Sequence, residues 1–122
     1  EVLLLGGSVR KGYHCTVGPA ATRMTRDLRV DKAFIGTNSL SPEVGATTPD
    51  LLQAEIKKAM IAMSRKIILL CDHSKIGLES FVRFADLDQI DVLVTDCLGS
   101  ELHKLFEDQG IEVIIAGERD PE

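Results

Sequence analysis

Asp72, His73, Ser74 and Lys75 follow directly on an apolar run, in the stretch ILLCDHSKIG at 67–76. An ammonium can neutralise a phosphate, a carboxylate can accept hydrogen bonds from sugar hydroxyls, and a serine hydroxyl can do either job. Asp72, Ser74 and Lys75 together therefore suit a polyol phosphate. Other apolar runs stop in kindred residues. VLLLGG (2–7) ends in Gly6 and Gly7, KAFIGT (32–37) in Gly36 and Thr37 with Asn38 behind them, and DVLVTD (91–96) in Thr95 and Asp96. Glycines let backbone N–H groups approach phosphate oxygens closely, and Thr37 and Thr95 add two hydroxyls.

Each part alone has a plainer reading. Gly6 and Gly7 can mark nothing more than a strand-to-turn break. Asp72 and Lys75 can be an exposed turn with a local ion pair, which contributes little. His73 invites a role as acid or base, but neighbours at a strand end point in different directions, and a turn residue is the better reading. His14 and His103 read as surface or packing histidines. Glu55 and Lys58, three apart, are a solvated helix pair. Lys57 flanks an apolar stripe and its head can reach a rim, although spacing alone favours a solvated lysine. Only the convergence of several polar run ends lifts the ligand reading above these.

That convergence depends on the elements that carry the ends. The runs at 2–7, 32–37, 66–72, 91–96 and 112–117 are continuous rather than alternating. Continuous apolar runs fit strands covered on both faces, as in parallel sheets. Helical segments lie between most of them, the rhythm of βαβ units. In such sheets all strands end on one edge, and ligands bind in the crevice outside those carboxyl ends.

The helices read as 17–28, started by Gly18 and Pro19 with Ala21, Met24 and Leu28 inward; 47–65; and 99–110, capped by Ser100 and ended by Gly110. In the second, Thr48 is the expected cap, Pro49 the first helical residue, and Asp50 complements the dipole. Its stripe is Leu52, Ile56, Ala59, Met60 and Met63, while Ala54 and Ile61 point elsewhere. That second apolar side suggests a contact beyond its own sheet, such as a neighbouring subunit. Residues 8–17 read as an irregular or antiparallel excursion, and SLSPEVGAT (39–47) as a loop rich in turn formers.

The totals narrow the function. The chain has 122 residues, room for one domain with one core. Its 14 Lys and Arg are outnumbered by 19 acids, for a net charge of −5. Holding DNA by its phosphates needs clustered cations, so this chain alone is a poor DNA binder, though a local basic pocket for a small anion is compatible. Cys15, Cys71 and Cys97, odd in number and in or beside apolar runs, read as buried reduced thiols of a cytoplasmic protein. With no CxxC pair and no His/Cys spacing for zinc, neither a metal nor a cofactor is expected. No apolar run approaches the ~20 residues of a membrane span. A chain that opens in strand material, EVLLLGG, reads as a segment with residues missing upstream.

The ordered set LLLGG, VGPAA, DKAFIGTNSLSPEVGATTPD, AEIKKAMI, LLCDHSKIG and IDVLVTD resembles the effector-binding domain of the DeoR family of bacterial transcription repressors, from about residue 2 to residue 116. The resemblance implies an α/β fold, a mostly parallel sheet with helices on both faces, similar to ribose-5-phosphate isomerases and CoA transferases. It implies a phosphorylated sugar as effector and a homo-oligomeric repressor. Operator DNA would be bound only by a winged helix-turn-helix that, with the first strand–helix units of the effector domain, would lie upstream. Carried over residue by residue, Gly36 and Thr37 would line the site and Lys57 would face the effector. Asp72, Ser74 and Lys75 match the family's DSSK pattern, with His73 where serine is usual, and Thr95 and Asp96 match its TD. The loop bearing Gly45, Thr47 and Thr48 would close over the ligand. The phosphate cradle would lie largely upstream, which weakens Gly6 and Gly7 as direct contacts.

Two other readings compete. A sugar-phosphate isomerase on the related fold would use Asp72 or Asp96 as base and Lys75 as electrophile, but no carboxylate is plainly set in an apolar pocket. A plain oligomerisation module would bind no ligand.

Overall fold

A computed structural model describes residues 1–117. Four strands, β3 (Val30–Gly36), β6 (Ser64–Leu70), β8 (Val92–Thr95) and β9 (Glu112–Ile115), form one sheet in the order β3-β6-β8-β9. Every pairing is parallel, as the continuous apolar runs predict. A hairpin of β1 (Ser8–Arg10) and β2 (Cys15–Val17) is antiparallel, matching the excursion expected there. Helix α1 (Pro19–Thr25) follows, with Pro19 in its first turn. The strand β4 (Ser39–Ser41), β5 (Gly45–Thr48) and β7 (Val82–Ala85) make a second, antiparallel sheet. Helices α2 (Leu51–Ala62) and α3 (Ser100–Asp108) complete the chain.

The main core lies on one face of the parallel sheet. Ala33, Ile35, Ile67, Leu69 and Leu93 point into it, since alternate strand residues share a face. They meet Ala54 and Ile61 of α2, Phe84 and Ala85 of β7, and Phe106 of α3. The opposite face carries two apolar rows in register, Phe34–Ile68–Val92 and Leu70–Val94–Ile114. Apolar runs of this kind predict cover on both faces, yet within residues 1–117 α2 and α3 pack into the same cluster. Phe34, Leu70 and Ile114 are left 61%, 40% and 44% exposed.

Five sequence expectations change. Residues 2–7 form no strand; a strand needs a partner, and among the described residues this stretch has none, leaving Val2, Leu3 and Leu4 exposed. The cap of α2 is Asp50 rather than Thr48, its carboxylate accepting from the Gln53 N–H at 2.8 Å, because Thr48 is held in β5. Gly99, not Ser100, caps α3. The two apolar sides of α2 are both used within the chain: Ala54, Met60 and Ile61 join the main core, and Ile56 packs with Val17 and Ala21. No partner subunit is needed to explain them.

The largest change concerns 39–48, which is a buried hairpin rather than a loop. Its polar side chains bond neighbours outside the hairpin. Ser80 N–H donates to Thr47 Oγ1 at 2.8 Å, and Ser39 and Ser80 hydroxyls pair at 2.8 Å. Gly45 makes this possible. Its φ is +96°, and a Cβ there would fall 2.3 Å from the Ala85 carbonyl oxygen, a position only glycine tolerates.

Candidate functional site

The parallel registers carry Gly36, Leu70, Thr95 and Ile115 to one edge. Beyond them lie Thr37 and Asn38, Asp72 to Lys75, and Asp96 and Cys97. β3, β6 and β8 each turn polar just beyond the core, whereas β9 runs into Ala116 and Gly117.

Asp72 leads a single 3-10 turn, His73–Lys75. Its carboxylate accepts from the Ser74 N–H at 2.9 Å and from the Ser74 hydroxyl. These bonds, the hydroxyl first, hold Asp72 below the usual carboxylate range. Asp96 binds across to the same turn. Its Oδ1 accepts from the His73 N–H at 2.7 Å, and its Oδ2 lies 2.7 Å from His73 Nδ1. The imidazole bond and then the backbone bond hold Asp96 down to about 2, and the same carboxylate raises His73 above its ordinary value. His73, expected to be a bystander, thus clips the β6 end to the β8 end. Lys75 is half-buried and makes no ion pair among the described residues.

Lys57 comes from the middle of α2. Its Nζ donates to the Gly36 carbonyl at 2.7 Å and sits 4.8 Å from the centroid of the Phe84 ring. Burial lowers its pKa. The helix therefore brings a second ammonium to the rim, as the resemblance implies and spacing alone did not. Gly36 is open, with nothing within 4 Å of a would-be Cβ.

Other predicted residues have structural duties. The Thr37 hydroxyl lies 2.8 Å from the Ser39 carbonyl and 3.1 Å from that of Thr47, one proton shared by two acceptors that lock β4 and β5. Thr95 is 2% exposed, so its side chain supports the edge from beneath. Gly45, Thr47 and Thr48 are buried in β5 and are no lid. Gly6 and Gly7 lie in a stretch that forms no strand of the parallel sheet. They lie against α1, where a Cβ at Gly7 would come 2.8 Å from Ala21 Cβ; the residue is small so that chain and helix can touch. Sequence reasoning passed over Asn38, whose Oδ1 accepts from the Thr48 hydroxyl at 2.9 Å; its place directly behind Gly36 and Thr37 was the available signal. It also passed over Cys97, expected to be buried and in fact exposed beside Asp96. Cys71, by contrast, is pushed up to about 11 by burial and then by Asp72 and Asp96.

The site can therefore offer two ammoniums, an exposed carboxylate in Asp72, the Ser74 hydroxyl and open space beside Gly36 where a side chain would otherwise stand. It has no carboxylate with a raised pKa, the property expected of a general base near neutral pH. Among the described residues no helix is long and apolar enough to cross a membrane. A hollow lined by Pro42, Val44, Arg83, Asp86 and Leu105 lies beside the 87–89 turn that leads into β8, at the other end of that strand.

Residues 1–97 match the family described as DeoR C terminal sensor domain. The chain is 38% identical over 115 residues to the HTH-type transcriptional regulator GlpR of Haloferax volcanii, covering 93% of this chain and 45% of that protein. It is 34% identical over 116 residues to the HTH-type transcriptional repressor GlcR of Bacillus subtilis, covering 94% and 45%. With the HTH-type transcriptional repressor CsqR of Escherichia coli it shares 29% identity over 119 residues, covering 97% and 46%. The chain thus spans a little under half the length of these relatives.

Proposed function

Because this chain belongs to the DeoR C terminal sensor domain family, we propose that the effector it senses is a phosphorylated sugar, bound at the carboxyl edge of the parallel sheet. Lys57 and Lys75 bind the phosphate, Asp72 and Ser74 bind sugar hydroxyls, and the Gly36 backbone approaches the ligand directly. Asp96 and His73 hold the 72–75 turn in place, with Thr37 and Thr95 behind the edge. Gly6 and Gly7 are left out of the contact set. The observation that carries the reading is the 2.7 Å reach of Lys57 to Gly36, which brings a helix-borne cation to the strand ends.

In this reading the chain is the sensing half of a homo-oligomeric cytoplasmic repressor. Operator DNA is held by a winged helix-turn-helix elsewhere in the protein, consistent with a net charge of −5 here. Preceding strand–helix units of the same domain seat on the sheet face that exposes Phe34, Leu70 and Ile114. The effector shifts the repressor only by binding its two states unequally. Catalysis is not part of the reading, since Asp72 and Asp96 are exposed and held low, a poor setting for a base.

The test is a thermal-shift panel of pentose and hexose phosphates on the full-length regulator. Native-state binding raises stability by about 2.7 kcal/mol at a roughly hundredfold excess over Kd. One or a few sugar phosphates should raise the melting temperature while the parent sugars do not. A panel in which no phosphorylated sugar moves it overturns the proposal.

A further inference from the structure

His73 and Cys97 are side chains at the strand ends to which effector binding gives no ligand contact. Together with Asp96 they offer an imidazole nitrogen, a thiol sulfur and a carboxylate oxygen, all within 4.8 Å of one another. We propose that His73, Asp96 and Cys97 form a three-ligand site for a zinc-like divalent transition metal, joining the ends of β6 and β8.

The geometry needs little adjustment. Zinc bonds of about 2.0–2.3 Å in a tetrahedron place donor atoms roughly 3.4 Å apart. His73 Nδ1 and Asp96 Oδ2, now 2.7 Å apart, must open slightly. The sulfur must close in from at most 4.8 Å. All three residues are exposed, outside the strands. Asp96 is already anchored for the task. Its Oδ1 is held by the His73 N–H at 2.7 Å, which leaves Oδ2 for the metal and supplies the outer hydrogen bond that ligating carboxylates need.

The donor set selects the ion. One sulfur, one nitrogen and one oxygen form a borderline-soft set that favours zinc-like ions over magnesium or calcium, which take oxygen cages. Binding exchanges the proton between His73 and Asp96, and the thiol proton of Cys97, for the metal; those protons pass to solvent. With three protein ligands, a fourth position stays open to water. Only if the effector reading also holds does that position face a ligand oxygen.

The experiment titrates the full-length regulator with Co2+, then competes with Zn2+. Cobalt bound to a thiolate gives a near-ultraviolet sulfur-to-metal charge-transfer band. The expected result is a band that saturates at one equivalent and is displaced by zinc. Cys97→Ser should abolish it, and His73→Ser should weaken zinc binding about tenfold or more, while Cys15→Ser leaves both unchanged. Absence of the band, or its persistence in Cys97→Ser, overturns the site. So does equal zinc affinity in wild type and His73→Ser. Lys75→Ala separates this outcome from the effector reading, because it should remove sugar-phosphate response and leave the cobalt band intact.

Discussion

Lys57 donates to the Gly36 carbonyl across 2.7 Å, tying the centre of α2 to the end of β3. The same ammonium lies over the Phe84 ring, so helix, parallel sheet and antiparallel sheet meet at one charge. Its pKa is lowered by burial, which marks a cation whose hydration is incomplete and which gains from an incoming anion. A charge-assisted hydrogen bond contributes about 1.5–3 kcal/mol. Lys57→Met keeps the stem on Phe84 and removes the charge. Effector affinity measured calorimetrically should fall about tenfold or more, and the melting temperature of the free protein should fall modestly with the loss of the Gly36 bond.

Lys75 makes no ion pair among the described residues and is half-buried at the same edge. In the full-length repressor, Lys75→Ala should weaken release from operator DNA by the sugar phosphate while operator affinity without effector is preserved. Gel shifts with and without effector read both at once. An unaltered effector response would remove Lys75 from the site.

Gly45 has a φ of +96° and no space for a Cβ, with the Ala85 carbonyl oxygen 2.3 Å from where it would sit. Gly45→Ala should destabilise the fold by about 2 kcal/mol or more through backbone strain and displacement of β7. Urea unfolding should show a lower midpoint without a changed slope.

The His73–Asp96 pair has a defined pH signature. His73 is raised above its ordinary 6.5, so its contribution is fully present below 6.5 and lost as pH climbs through the raised value. Asp96 is held down to about 2, so its contribution is present above 3.8 and lost as pH falls towards 2. The clip between β6 and β8 is therefore firmest between about 3.8 and 6.5. An NMR titration of the His73 ring should give a pKa above 6.5, returning towards it in Asp96→Asn and, because the pair is exposed, at high salt.

Phe34, Leu70 and Ile114 stand exposed in adjacent register on one sheet face. Exposed apolar patches of this kind promote association. The 122-residue chain expressed alone should self-associate, and Phe34→Lys with Ile114→Lys should shift its elution towards a monomer. In the full-length protein Phe34 should be protected from solvent.

Much of this protein was determined by sequence alone. Unbroken apolar runs at 32–37, 66–72 and 91–96 specify parallel strands, because only strands inside a sheet bury every side chain. Their polar termini gather on one edge of the sheet, because parallel connections bring all carboxyl ends together. Pro19 and Gly110 mark helix limits through φ restrictions that act locally. Tertiary structure decided what depends on distant partners. Residues 2–7 carry strand composition yet form no strand, since pairing is not a property of the segment itself. The 39–48 segment looks like a loop because its Ser and Thr side chains seem made for water, yet Ser80 and Ala85, some forty residues away, turn it into buried sheet. Likewise no spacing in the chain places His73 beside Asp96 and Cys97. Only the parallel pairing of β6 and β8 closes that gap, through hydrogen bonds between residues more than twenty positions apart.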